Sequence, residues 1–149
     1  MNSRQLQLFA RDLRGSQPRS PRETLGGFVF GASILDKCRA DLLGIGGDHQ
    51  FAPCALSAPF WKFTGLDPEE FRVFVATGAD DEAVGEWIKR NASVQDRAAV
   101  LRWNFHMISN LAFASRFAAA VGIPSQAATS QRWFLKKASV SSASLLGVD

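Results

Sequence analysis

The chain has 149 residues, 46% of them hydrophobic and 21% charged, with a formal net charge of +3. That length suits one domain with a real core, and the composition excludes a disordered chain. Two cysteines and two histidines exclude a disulfide framework and a Cys/His metal site, and the dispersed basic residues lack the aromatic interleaving of nucleic-acid binders.

The N-terminal stretch MNSRQLQLFARDLR is charged and amphipathic, without the continuous apolar core of a secretion signal. Leu6, Leu8, Phe9 and Leu13 suit a short helix over 3–14. Residues 15–27, with two prolines and three glycines, read as a loop. From 28 to 43 the positions Ile34, Leu35, Cys38 and Leu42 share a helical face, and the glycines at 44, 46 and 47 end the helix. Residues 45–59 read as irregular, with a short extended piece around 48–52. FWKFTG, residues 60–65, reads as a helical turn.

Asp67-Pro68-Glu69-Glu70 combines an N-cap, a proline at the first helical position and an acid at the third, the start of a helix that Gly78 stops. Asp80-Asp81-Glu82 opens another, with Val84, Trp87 and Ile88 on its apolar side; the acids read as capping against the helix dipole. Ser93-Val94-Gln95-Asp96 has the spacing of a capping box and predicts a helix from 94 to about 121. Leu101, Phe105, Ile108, Ala112 and Ala119 form one stripe of it, Met107 and Leu111 a second, Phe113 and Phe117 a third. A helix apolar on so many sides belongs at the centre of a fold. One more short helix is predicted over 126–137, then a loose tail from about 138 to 149. The expected architecture is a single, mainly all-α domain spanning 1–149, a compact multi-helix bundle around that long helix. No run approaches the ~20 apolar residues of a membrane span, so a cytoplasmic protein that engages no membrane is expected.

Ser20-Pro21-Arg22-Glu23 with Leu25-Gly26-Gly27, and Asp36-Lys37 with Arg39-Ala40, resemble the bacterial proteins grouped as the domain-of-unknown-function 5069 family. Phe63-x-Gly65-Leu66 and the run Phe74-Val75-Ala76-Thr77-Gly78-Ala79 are similar too. Residues 10–90 carry the resemblance, which implies no particular activity. The chain departs from that pattern as a divergent member. The family typically has arginine where Ser33 stands, a Tyr-His pair at His49-Gln50 and aspartate at Ser57. After its Trp-Phe the family is acidic, whereas here Trp133-Phe134 precedes Leu135-Lys136-Lys137.

Candidate site residues follow from chemistry and spacing. Arg22, in the Pro/Gly loop, is suited to clamping a carboxylate or phosphate, with Glu23 beside it; an Arg–Glu pair pinning the loop is the plainer reading. Asp36 and Arg39 are i,i+3 neighbours, while Lys37 shares a side with Ser33 and Asp41. Lys37 is a general base or Schiff-base nucleophile if burial lowers its pKa, and otherwise part of a solvated face. His49 lies in an irregular segment, where sites concentrate; with Asp48 and Cys54 it would need spatial contact to form a nucleophile–base pair. On the long helix Arg102, His106 and Asn110 follow i, i+4, i+8 spacing. They are either a satisfied polar edge or a polar spot in an aromatic pocket walled by Trp103, Phe105, Phe113 and Trp61. His49, Lys37, Asp36 and His106 are the candidate catalytic residues, and Arg22, Glu23, Arg39, Trp61, Trp103, Arg102 and Asn110 the candidate ligand contacts. No metal and no cofactor is called for.

The function expected is a small cofactor-independent enzyme acting on an organic metabolite by acid/base chemistry: isomerisation, cyclisation or elimination. Its partner would be a small organic ligand of anionic character, not nucleic acid or a membrane, with a homo-oligomer left open. The alternative is a non-catalytic small-molecule-binding or protein-interaction module on the same scaffold.

Overall fold

The structure, a computed structural model, describes residues 1–52, 54 and 56–120, with side chains as far as Ala112. The helix expected over 126–137 and the tail from 138 lie outside the described residues. Six helices and one two-stranded hairpin are present among those described, so the chain is mainly α-helical. By internal contacts it divides into Met1–Met107 and Ile108–Asp149; the following concerns the first unit. No helix of the described residues is long and apolar enough to cross a membrane.

Helix α1 spans Ser3–Phe9 and is shorter than its periodicity suggested. Leu13, four residues beyond it, is buried in a turn, its N–H donating to the Ile45 carbonyl at 3.0 Å. The loop expected over 15–27 contains instead the start of a hairpin. Strand β1, Thr24–Leu25, pairs antiparallel with β2, Phe28–Val29. Gly26 and Gly27 form its two-residue turn with φ of 60° and 87°, the positive values a tight hairpin demands. A Cβ on Gly26 would also sit 2.7 Å from the Gly85 carbonyl oxygen. The glycine pair thus serves a turn, and Gly26 a close approach to a helix.

Helix α2, Gly31–Leu42, has ten of its twelve residues buried. It packs against α4 (Pro68–Ala76) and β1, and β1 also packs on α5 (Asp81–Asn91). Between them in the chain runs α3, Ala58–Thr64. The acidic starts act as expected: Asp67 accepts from the Glu69 and Glu70 N–H groups, and Asp80 from Ala83.

Helix α6, Arg97–Ala120, begins three residues later than its predicted start. Asp96, not Ser93, caps it, accepting from the Ala98 N–H at 3.0 Å. The Ser93 hydroxyl donates instead to the Thr64 carbonyl at 2.9 Å, a tertiary partner that outcompetes the local one. Within the first unit α6 is not central: Leu101 and Phe105 are 58% and 74% exposed, whereas Leu35 and Cys38 of α2 are wholly buried. Its inward side carries Trp103 and Asn104. The Asn104 amide accepts from the Val29 N–H and donates to the Gly27 carbonyl, at 3.1 and 2.8 Å, fastening the hairpin to the helix.

Two aromatic groups fill the remaining core. Trp103 stacks on Phe63 at 4.7 Å with Phe28 edge-on to both, and Trp61 meets Phe51, Phe60 and Phe71 edge-on. Phe60, in contact with Phe28 and Trp61, joins the two. Trp61 and Trp103 therefore belong to separate clusters, not to opposite walls of one pocket.

Candidate active site

The motif Asp36-Lys37-Cys38-Arg39 distributes its side chains around α2, and only Asp36 and Arg39 enter one common network. Asp36 accepts from the Arg19 backbone N–H and from its guanidinium, at 2.8 Å in both cases. Arg19 reaches on to Asp81 at 2.5 Å, and Asp81 in turn accepts from Arg39 at 2.7 Å. Arg39 is 1% exposed; it also donates to the Ala79 carbonyl at 2.9 Å, and its guanidinium lies 5.2 Å from the centre of the Phe9 ring. Burial alone would raise the Asp81 pKa, but hydrogen bonds from Arg39 and Arg19 hold it below 3.8. A cleft of about 460 Å³ opens over this network, lined in part by Phe9, Arg11, Arg19, Asp36, Arg39 and Asp81. Its charges are largely committed to one another. Asp36 and Arg39 thus form part of a bonded scaffold linking the 19–20 loop, α2 and the start of α5.

Cys38 is wholly buried, and the charges of Arg72, Asp41, Arg39 and Glu69 act on it. Burial pushes its thiol up to about 12, so it stays protonated and a poor nucleophile. Arg72 is paired with Asp41, the carboxylate one helical turn after Lys37.

Lys37 differs from all of these. It is 7% exposed, yet among the described residues its ammonium makes no hydrogen bond and no ion pair. Both nearby carboxylates on its own helix, Asp36 and Asp41, are engaged by arginines. Burial lowers the Lys37 pKa below 10.5 against an opposing pull from Cys54. His49, half-buried in the irregular segment after α2, is lowered from 6.5 by burial and by the Lys37 charge, with Asp48 opposing. Lys37 therefore lies within the field of Cys54, and His49 within that of Lys37. Ser33, one helical turn before Lys37, is buried, and so is Ser57, whose hydroxyl donates to the Cys54 carbonyl at 3.2 Å.

Arg22, Glu23, Arg102 and His106 are not among the groups that act on Lys37 or His49. Arg22 and Glu23 are exposed, and the Arg22 backbone N–H donates to the Ser20 hydroxyl at 3.2 Å. Arg102 is 74% exposed at its side chain, 4.0 Å from Asp96. His106 is exposed on α6. Asn110, also exposed, belongs to the second unit. Two residues that shape α2's surroundings escaped the sequence reading. Arg19 carries no local signal for a partner 17 or 62 positions away. Asp81 did offer one: Asp80 alone satisfies the cap, leaving its neighbour's carboxylate for another task.

The family model described as domain of unknown function (DUF5069) matches residues 15–133. The chain belongs to this family. The match encloses the α2 motif and the irregular segment that carries His49 and Cys54. No curated protein matches the chain.

A buried lysine without a salt bridge burdens a fold, and that gives a test of the surroundings of Lys37. Lys37→Met keeps the length of the side chain and removes the charge. We expect chemical denaturation at pH 7 to show a gain of about 1–2 kcal/mol. The folded-state pKa is below that of the unfolded chain, so the unfolded state binds more protons between the lowered value and 10.5. Wild-type stability should therefore rise with pH across that window. The advantage of methionine should shrink as the window is crossed and be gone above it. A methionine variant less stable than wild type at pH 7 would show that the ammonium is held by interactions that outweigh its burial.

Proposed function

We propose that this protein is a small enzyme that works without a cofactor on an organic metabolite, by acid/base chemistry centred on Lys37. One observation carries the reading: a buried lysine with no hydrogen bond or salt bridge among the described residues, whose charge acts on a half-buried histidine and which is itself acted on by a cysteine. A lysine kept for structure is normally paired, because an unpaired buried charge costs several kcal/mol. A reacting amine gains from a lowered pKa, and the burial of Lys37 moves its pKa in that direction. His49, with its own pKa lowered, is neutral at pH 7 and can carry protons to and from the reacting atoms. Isomerisation, cyclisation and elimination all need such a base and proton carrier.

A test that needs no prior substrate follows carbon-bound hydrogen. The protein is incubated in heavy water with a pool of small oxo, hydroxy and unsaturated acids, and deuterium uptake is read by proton NMR. Wild type should exchange at least one member of the pool. Lys37→Met should lose the exchange by at least ~100-fold, and His49→Ala by at least ~10-fold, within the span of general acid–base contributions. Exchange that persists in Lys37→Met would remove the lysine from the mechanism.

A second reading, a protein-interaction module, draws on Leu101 and Phe105, one turn apart on α6 and largely exposed. It predicts concentration-dependent association in sedimentation that Leu101→Glu abolishes, with Lys37→Met having no effect.

A further inference from the structure

The surroundings of Lys37 favour one kind of chemistry over others, and the choice follows from charge. When an amine acts only as a base it ends as an ammonium, and here that cation has no carboxylate to meet among the described residues. Asp36 is held by Arg19, and Asp41 by Arg72. His49 is neutral or cationic, never anionic, and cannot serve as the counter-charge. Asp48 acts on His49 but is not among the groups acting on Lys37. Cys54 is the group whose negative form acts on Lys37, and a substrate that brings its own carboxylate supplies the charge that no described carboxylate does. A substrate that also carries a carbonyl uses the amine as a nucleophile, a role that the lowered pKa of the buried Lys37 side chain favours.

We propose that Lys37 captures a 2-oxo acid, or a related carbonyl compound bearing a carboxylate, as an imine, the substrate's carboxylate standing in for the one that none of the described residues offers it. This deepens the function proposed above and rests on it. The nitrogen lone pair attacks the carbonyl carbon, and the carbonyl π pair moves to oxygen. One proton passes from nitrogen to that oxygen, with His49 able to relay it, giving a carbinolamine. The nitrogen lone pair then expels hydroxide as the C=N bond forms. That hydroxide takes the second proton from nitrogen and leaves as water. One amine and one carbonyl become one imine and one water, with no oxidant or reductant involved. Reprotonated, the imine nitrogen becomes a cation that draws electrons from the neighbouring carbon, while the carboxylate balances its charge. His49 then exchanges protons at that carbon, which places the acid/base step on the captured substrate.

The probe is glyoxylate, with sodium cyanoborohydride to reduce any imine to a stable carboxymethyl-lysine. The full chain is treated at pH 7 and the label located by peptide mass spectrometry. Lys37 should be labelled at least tenfold faster than Lys89, which is exposed and paired with Glu86, and the Lys37→Met protein should lack that fast adduct. Labelling of Lys37 no faster than Lys89 overturns the imine. A parallel treatment with glycolaldehyde, which has the carbonyl but no carboxylate, should label Lys37 more slowly; equal rates overturn the role given to the carboxylate. Acetic anhydride, which requires only a free, accessible amine, separates the two proposals. Fast acetylation of Lys37 without glyoxylate trapping overturns the imine and leaves the amine base standing. Slow acetylation as well as slow trapping defeats both.

Discussion

Asp36→Ala is expected to remove about 3–5 kcal/mol of folding stability, the range for deleting one member of a buried, hydrogen-bonded ion pair. The Asp36 carboxylate is 2% exposed and receives the Arg19 main-chain N–H and its guanidinium together, with Arg11 3.7 Å away. Without it Arg19, itself 18% exposed at the side chain, keeps only Asp81. The uncompensated charge and the orphaned N–H, not the lost attraction alone, make the cost large. Urea denaturation of Asp36→Ala and Asp36→Asn would measure it; a loss below ~1 kcal/mol in both would reduce the network to an ordinary surface pair. The surviving Asp81 keeps its own pH signature. Its pKa is lowered in the folded state, so its contribution is present above pH 3.8 and disappears as pH falls through the lowered value.

Phe60→Ala should cost a similar ~3–5 kcal/mol, the usual span for emptying a buried aromatic site. Phe60 is 0% exposed, with ring centroids 6.2 Å from Phe28 and 5.0 Å from Trp61. It holds the cluster around Trp103 and the cluster around Trp61 in one core. Removing it leaves a cavity between rings that are already packed edge-on and cannot close without giving up those geometries. Phe60→Leu, which refills most of the volume, should recover at least half of the loss. Equal losses in the two variants would mean that ring geometry, not volume, sets the cost. A loss below ~1.5 kcal/mol in Phe60→Ala would mean that the clusters do not depend on their bridge.

The local features of this chain were legible because each depends on neighbours a few residues away. Asp67-Pro68 and Asp80 start helices by bonding N–H groups two or three positions on, and Gly65 ends one in the left-handed conformation its lack of a side chain permits. The Gly26-Gly27 signal was equally local, but a two-residue turn is easily absorbed into a loop when its strands are only two residues each. Helix α6 shows the limit of that reading. Ser93 had the spacing of a cap, and the Thr64 carbonyl, 29 residues away, took its hydroxyl.

Spacing on α2 separated Lys37 from Asp36 and Arg39, since a helix turns about 100° per residue. That much the amino-acid sequence determined by itself, along with the helical class and the caps at Asp67 and Asp80. Which arginine would meet which aspartate, and whether Lys37 would be buried or solvated, depended on elements 17 to 62 residues distant. Only their packing could decide it. The pattern of apolar residues described α2 as one-sided, with the face through Ile34, Leu35, Cys38 and Leu42 turned inward. In the folded chain it is enclosed on every side from Gly31 to Ala40, because paired charges can be buried as well as apolar side chains. Tertiary structure then assigned the partners: arginines to Asp36 and Asp41, aspartate to Arg39, and none to Lys37 among the described residues.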